Sequence, residues 1–374
     1  MSGTKQFTTL KRLARNIRDT LGTKDAADAK NYYLLFAYNG TGKTRLSGEF
    51  KNLGKKRIRG SEEATRDTLY YNAFTEDLFY WDNDLEGDTD RRLFFNTNSR
   101  FFDGLRDLEM DTRIRGFLQI HADFDFTIRY DEGYIIFSRK VQTRTGEETV
   151  TGIKISRGEE NLFVWCFFLA IVQLVNDEAL SYGWVKYIYI DDPISSLDDN
   201  NVVALACQLS ELLKDCKIKT VISTHHTLFF NVMYNELRKE STASRFLSFD
   251  KETNKYIVKN TGDTPFFHHV ALLKELKKVS DSGKICTYHF NILRNILEKT
   301  AAFHGFDDFS ACIKREDDDL DDVIFARMIN LLSHGNHSIF NPLEMVEDNK
   351  EIFKNILNRF LENYKFNDKL FTER

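Results

Sequence analysis

Proline is nearly absent from this 374-residue chain, at three residues, which excludes long Pro-rich linkers. Cysteine is scarce too. Cys166, Cys207, Cys216, Cys286 and Cys312 are odd in number and scattered, with no CxxC spacing. That pattern excludes a disulfide framework or a zinc site and implies reduced, mostly buried thiols. No apolar run reaches the length of a membrane span, and the N-terminal "MSGTKQFTTLKRLARNIRDTLG" lacks the apolar centre of a signal peptide. The expectation is a cytoplasmic protein with no membrane partner. Positive charge is not in excess either. A net charge of −5 argues against non-specific coating of DNA and leaves nucleic acid to local basic patches.

What the chain does have is phenylalanine, 32 residues of it, which predicts cores built from aromatic packing. Its length suits two domains, one larger and one smaller. Residues 1–28 read as a basic amphipathic helix with Lys11, Arg12, Arg15 and Arg18 on its polar side. "NYYLLFAYNGTGKTRLS" then switches from a β-type run through a glycine loop to a helix start. "FDFTIRY" and "YIIFSRK" read as strands, and "ISRGEENLFVWCFFLAIVQLVN" as a polar loop entering a deeply buried helix. "VKYIYIDDPISSLDDNN" and "KIKTVISTHH", with a helix around 201–214 between them, form a βαβ pattern that implies a parallel sheet. "KNTGDTPFF" (259–267) is a turn-rich seam. It divides an α/β nucleotide-binding domain, 1–264, from an all-helical domain, 265–374. The acidic run "REDDDLDDV" (315–323) reads as a loop and a helix N-terminus.

The segment Ala37–Thr44 is a Walker A loop with Ala in place of the first Gly. Asn39, Gly40, Thr41 and Gly42 form the phosphate cradle, Lys43 reaches the β- and γ-phosphates, and Thr44 offers a hydroxyl to Mg²⁺. "YIYIDD" has the character of a Walker B strand. Asp191 would hold Mg²⁺, and Asp192 stands where a carboxylate polarises the attacking water. "ISRGEE" resembles the signature loop of ABC-type ATPases, whose Ser156, Gly158 and Glu159 would meet a nucleotide on the opposite subunit. "SSLDD" (195–199) resembles the D-loop and His225 the switch histidine. Chance motifs could imitate one of these pieces, but four in order favour the ATPase. Family members usually carry Glu where Asp192 stands, and the shorter side chain implies slow hydrolysis, suited to a switch. Asn72 occupies roughly the place of the Q-loop glutamine.

The tail is expected to carry the output. On a helical wheel over 288–305, Phe290, Ile292, Leu293, Ile296, Leu297 and Phe303 form an apolar stripe, with Arg294 and Glu298 at its edge and Gly305 as the stop. Arg294 and Glu298 have two readings: an ordinary i,i+4 ion pair of about 0.2–0.5 kcal/mol, or half of a second active site. A second helix, "DDVIFARMINLLSHGNHS", ends at His334, where the negative end of the dipole favours an imidazolium. His337 is its rival. Arg, Glu and His are the ingredients of metal-free RNA cleavage: a base for the ribose 2′-OH, a cation for the dianionic transition state, and an acid for the leaving 5′-oxygen.

The stretches "NGTGKTRLS", "YYNAFTEDLFYWDNDL", "GEEN", "IDDPISSLDDN", "YHFNILRNILEKTAAF" and "INLLSH" resemble the PrrC-type anticodon nucleases. That resemblance implies an ABC-type ATPase fused to a HEPN-like RNase. The RNase cuts a tRNA anticodon loop, typically of lysine tRNA, 5′ of the wobble base, leaving a 2′,3′-cyclic phosphate and a 5′-hydroxyl. It carries the family's catalytic triad onto Arg294, Glu298 and His334, leaving open which residue is base and which acid. It implies ATP or GTP with Mg²⁺, dTTP as a stabilising nucleotide, no metal at the RNase site, and assembly as a homodimer or higher oligomer. A type I restriction–modification complex would silence the nuclease until a phage disables that complex. Arg327 with His334 would match the HEPN motif, and Asp263, in "TGDT", the family's tRNA-reading aspartate. Two other classes compete: an SMC/RecF-like ATPase acting on DNA with a non-catalytic tail, and a regulatory subunit that signals to a separate toxin. The lack of a heptad coiled coil argues against SMC itself.

Overall fold

The computed structural model describes residues 4–22, 29–57, 64–72, 78–81, 91–97, 102, 108–144, 146–194, 199–216, 218–250, 253–261, 267–314 and 345–366. The chain divides into two compact units, Met1–Pro265 and Phe266–Arg374.

The first unit opens with strand β1 (Lys5–Phe7), helix α1 (Leu10–Leu21), β2 (Tyr32–Ala37) and α2 (Lys43–Leu53). A two-residue ribbon follows, β3 (Lys56–Arg57) with β4 (Ala64–Thr65), then β5 (Thr68–Asn72), β6 (Phe79–Trp81) and β7 (Leu93–Phe95). Next come α3 (Met110–Leu118), β8 (Phe124–Arg129), β9 (Tyr134–Thr143), β10 (Gly146–Ile153) and α4 (Arg157–Asn176). The unit closes with β11 (Tyr187–Asp191), α5 (Asp199–Lys214), β12 (Lys219–Thr224), α6 (Thr227–Leu237), β13 (Thr242–Asp250) and β14 (Lys255–Asn260).

These strands build a seven-stranded sheet in the order β1-β14-β13-β2-β12-β11-β5. It is parallel from β13 to β5, with an antiparallel margin at β14 and β1. Every residue of β2 is buried, as expected of a parallel strand covered on both faces. Register is what matters for chemistry: Asp191 pairs across to Ser223 on one side and to Asn72 on the other, so three strands end at one level. In open α/β sheets that carboxyl edge is where ligands bind. A second, five-stranded antiparallel sheet joins β6 to β10.

The abundant phenylalanine goes into the core around α4. Phe163, Trp165, Phe167 and Phe168 pack edge-on or tilted against Tyr71, Phe79, Phe126 and Phe137, at ring separations of 4.6–5.5 Å. Each ring so buried contributes roughly 1.5–3 kcal/mol. Contrary to the expectation from sequence, α4 is long and apolar enough to cross a membrane, but 72% of that stretch is buried inside the protein, and it is a core helix here.

The basic N-terminal helix is shorter than the 1–28 expected from sequence, running over Leu10–Leu21. The helix begins at Leu10, behind an edge strand, with Thr9 as its cap, and Arg18 is not on a solvated face. Its guanidinium donates to both carboxylate oxygens of Asp67 (2.8 and 3.0 Å) and to the Phe50 carbonyl, and lies over the rings of Phe50 and Tyr187. A wheel assigns faces but cannot see an acidic partner 49 residues away. Burial pushes the Asp67 carboxyl upward, but hydrogen bonds from Arg18 and Thr68 outweigh that and hold it below its ordinary value. Its stabilisation is therefore present above the ordinary Asp range and lost as pH falls through the lowered value. Asp67→Ala, which strands Arg18, is expected to cost about 3–5 kcal/mol in urea unfolding at neutral pH, and to shrink the acid-side loss of stability.

The described part of the second unit is helical: α7 (Phe267–Ser282), α8 (Thr287–His304), a 3₁₀ turn at Phe309–Cys312, and a helix over Glu347–Asn363. Phe290, Leu293, Ile296 and Leu297 of α8 are buried, and Phe290 meets Phe353 at 5.1 Å. Gly305 ends α8 in the left-handed conformation at φ +74°, a position where a side chain would be strained. His289, also buried, holds the helix start by accepting from the Cys286 backbone amide; burial pushes its pKa down to about 4, so it packs as neutral imidazole. Phe303 departs from the stripe assigned to it and is 87% exposed.

Candidate functional site

The phosphate loop lies between β2 and α2. Gly40 and Gly42 take φ of +78° and +101°, and open space surrounds the position of a Cβ at Gly40. No side chain caps α2 at Gly42, which leaves its first amides to a ligand. Thr41 ties the loop by donating to the Tyr38 carbonyl at 2.8 Å. Lys43 is 6% exposed. Its ammonium donates to the Ala37 carbonyl (3.1 Å) and to Asn39 Oδ1 (3.3 Å), and pairs with Asp192 at 3.2 Å.

Asp191 is fully buried at the end of β11. Ser223 donates to its Oδ1 at 2.7 Å, while Tyr70 and Asn72 donate to Oδ2, each at 3.3 Å. Ser47, one turn into α2, lies 3.5 Å from the same oxygen. Burial pushes the Asp191 carboxyl up, Asp192 adds to this, and Ser223, Thr44 and Lys43 oppose it. A buried carboxylate so disposed gains most from a cation.

Asp192 has a positive φ of 52°, which turns its side chain off the strand line toward Lys43 and His225. Its Oδ1 accepts from the His225 backbone amide at 3.0 Å and lies 2.6 Å from His225 Nδ1. Burial raises its pKa, but His225 and Lys43 outweigh burial and hold the carboxyl below its ordinary value. Two adjacent aspartates thus shift in opposite directions: at Asp191 burial outweighs the hydrogen bonds, and at Asp192 the hydrogen bonds from His225 and the charge of Lys43 outweigh burial.

Lys43, Thr44, Asp191, Asp192 and His225 are therefore brought to one sheet edge. Ser156, Gly158 and Glu159 are placed elsewhere, at the start of α4, where Ser156 and Glu159 form a reciprocal capping box. Glu159 also pairs with Arg139 of β9, and Glu160 accepts from the Trp81 indole at 2.9 Å. Sequence reasoning missed Ser47, Tyr70 and Ser223. The available signal was periodicity: Tyr70 and Asn72 share a strand face, and Ser47 follows Thr44 by three residues on a helix. Residues 195–198 of the D-loop segment, and Asp263, lie outside the described residues.

The residues fit a magnesium nucleotide. Among the described residues no three His, Cys, Asp or Glu side chains gather into a metal cage, and Mg²⁺ on a nucleotide needs only one or two protein oxygens beside the phosphates. Thr44 and Asp191 would hold it.

In the second unit Arg294 Nε donates to Glu298 Oε1 at 2.7 Å, and the guanidinium carbon lies 6.0 Å from the Phe309 ring centre. Their side chains are 25% and 45% exposed, so the pair borders solvent. His334, His337 and Arg327 lie outside the described residues.

A family model described as "AAA domain" matches residues 109–362. An anticodon nuclease of Escherichia coli is 34% identical over 361 residues, covering 89% of this chain and 89% of that relative. The chain belongs to the PrrC-type anticodon nuclease family. In this member the ATPase part is an α/β P-loop domain with a mixed sheet, the β13–β5 stretch parallel and β14 and β1 antiparallel. A solved SMC head bound to the C-terminal winged-helix domain of ScpA is also similar, at 12% identity over 63% of this chain and 91% of that one; its TM-score of 0.30 supports no statement about shared fold.

Proposed function

We propose that the protein is a nucleotide-gated, metal-independent endoribonuclease that cuts a tRNA anticodon loop. The observation that carries this reading is the extent of the family likeness: 34% identity running over 89% of both chains, through the nucleotide unit and the helical unit alike. The resemblance implies an anticodon loop, typically that of lysine tRNA, cut 5′ of the wobble base to leave a 2′,3′-cyclic phosphate and a 5′-hydroxyl. The helical unit would then be HEPN-like. Antiphage defence, silencing by a type I restriction–modification complex, and dTTP as a stabilising nucleotide belong to the same reading.

At the nucleotide site the chain's own groups divide the work. The loop amides and Lys43 bind phosphate, Thr44 and Asp191 hold Mg²⁺, and Asp192 positions the attacking water with His225 fixing its carboxylate. The bound Mg²⁺ nucleotide supplies the phosphoryl group and the charge neutralisation. Ser156 and Gly158 would complete the site of a second copy, with Glu159 shaping the loop, so that two chains close on nucleotide together. At the RNase site, Glu298 and His334 would exchange the protons of the 2′-OH and the 5′-oxygen, and Arg294 would meet the charge that develops on the phosphate. Asp263 and Arg327 are candidates for tRNA contact.

The test is to incubate the full-length protein with total tRNA and Mg²⁺ nucleotide, then map RNA ends, with His334→Ala as the control. Cyclic-phosphate ends confined to an anticodon loop, and absent from the control, are the expected result. Intact tRNA with every nucleotide tried overturns the reading.

A further inference from the structure

Strand β13 places Ala243, Arg245 and Leu247 on one face of the large sheet, because alternate residues of a strand share a face. Ala243 and Leu247 are buried in one apolar cluster with Tyr33, Val258 and the inner residues of α1. An arginine between two such positions is expected to have a counter-ion. Arg245 has none among the described residues. It is half-buried, and its Nη1 donates only to neutral oxygens, the Ser244 carbonyl at 2.8 Å and Asn260 Oδ1 at 3.0 Å. Beside it lies a cavity of about 180 Å³, also lined by Lys5 of β1 and by Asn16 and Thr20 of α1. Lys5 pairs with no carboxylate among the described residues either. Tyr33 walls the cavity from within. It is 1% exposed, and its hydroxyl has no hydrogen-bond partner among the described residues. Burial pushes its pKa up against the pull of the Arg245 charge, so the phenol stays protonated and able to donate.

We infer that this cavity is a second anion site, one that takes a phosphoryl group and is separate from the phosphate loop. Charge is the first reason: two cations line one cavity, and neither has a protein anion to answer it. Direction is the second. An ammonium from β1, a guanidinium from β13 and a phenol from β2 approach from three strands. A tetrahedral oxyanion offers oxygens to several sides at once, whereas a planar carboxylate offers two and is suited to a single fork. Size is the third. The cavity is smaller than the roughly 300–1,000 Å³ of pockets that hold drug-sized ligands, so it suits an ion or a phosphate on a small group, not a whole nucleotide. Its place sets it apart from the nucleotide site. Tyr33 precedes Ala37, where the phosphate loop begins, by four residues, or about 13 Å along β2. An anion shared by Lys5 and Arg245 would tie the three-residue edge strand β1 to the face of β13. The inference is independent of the proposed RNase reading.

Titration calorimetry of the full-length protein with inorganic phosphate, glycerol 3-phosphate and acetate tests this. Each is run in wild type and in Lys43→Ala, which weakens the phosphate loop and leaves the cavity intact. A phosphate site that persists in Lys43→Ala is the expected result. Adding Tyr33→Phe, which removes one oxygen and keeps the core ring, is expected to weaken that site about 10- to 150-fold, the scale of a hydrogen bond to a charged group. Arg245→Gln should weaken it at least as much, and Lys5→Ala, on an exposed edge where folding is not at risk, should weaken it too. Tighter binding of inorganic phosphate identifies the free ion as the ligand, and tighter binding of glycerol 3-phosphate a phosphomonoester; either supports the site. No phosphate binding in Lys43→Ala overturns it. So does binding that Tyr33→Phe, Arg245→Gln and Lys5→Ala all leave unchanged. Acetate bound as tightly as phosphate overturns the phosphoryl assignment.

Discussion

Asp192→Asn is expected to lower nucleotide hydrolysis at least a hundredfold while leaving Mg²⁺-nucleotide binding within a few-fold of wild type. The difference follows from the two aspartates' surroundings. Asp191 has Ser223, Tyr70, Asn72 and Thr44 around it and lies where a cation would be held. Asp192 is turned away from those groups and toward Lys43 and His225. Held below its ordinary pKa, its carboxylate is ionised throughout the physiological range. It is consequently a weak proton acceptor, and its contribution is to orient and polarise water more than to remove a proton. Amide replacement keeps the shape and removes the charge, at the low end of the 10²–10⁴ that positioned acid–base groups supply. Turnover within threefold of wild type would contradict this role. Asp191→Asn should behave differently, losing Mg²⁺-dependent binding itself.

The second large effect concerns Arg294. As a surface ion pair with Glu298 it contributes about 0.2–0.5 kcal/mol, and Arg294→Ala should barely move the unfolding midpoint. As the group that meets the charge developing on the scissile phosphate, its loss should lower RNA cleavage by about 10²–10³-fold, on the scale of losing one donor from an oxyanion site. The two readings differ by several kcal/mol in catalysis and not at all in stability, so one variant separates them. Single-turnover cleavage together with thermal unfolding is the measurement. Equal cleavage by Arg294→Ala returns the pair to an ordinary helix contact. Glu298→Gln should lower cleavage without the same loss of RNA affinity, because the amide keeps the hydrogen bond to Arg294 but accepts no proton.

Much of the nucleotide site was legible in the sequence because parallel strands buried on both faces are spelled as continuous apolar runs. Such runs, at Tyr32–Ala37 and Tyr187–Asp191, announce their own ends, and the motif residues stand at those ends. Ser223, Tyr70 and Asn72 were not legible as partners of Asp191, since only strand register makes neighbours of residues 32, 121 and 119 apart in the chain. Arg18 was misplaced for the same reason: periodicity assigns a face but does not reveal that Asp67 and two rings wait on the far side. Phe303 failed in the opposite sense. It fits the wheel, yet it lies in the last turn of α8, one residue before the helix ends, where it is 87% exposed and no helix among the described residues covers it. Glu159 shows the limit of motif reading, because its carboxylate is already engaged by the Ser156 backbone and by Arg139 within its own chain.

If the nucleotide site gates the RNase, Lys43→Ala should silence both activities. Lys43 approaches both the loop carbonyls and Asp192, and its loss removes the cation that a γ-phosphate would meet. The measurement is anticodon-loop cleavage by full-length wild type, Lys43→Ala and His334→Ala, with and without Mg²⁺ nucleotide, with hydrolysis followed in parallel. Wild type is expected to cleave only with nucleotide, Lys43→Ala neither to hydrolyse nor to cleave, and His334→Ala to hydrolyse like wild type but leave tRNA intact. Full cleavage by Lys43→Ala would contradict the gating.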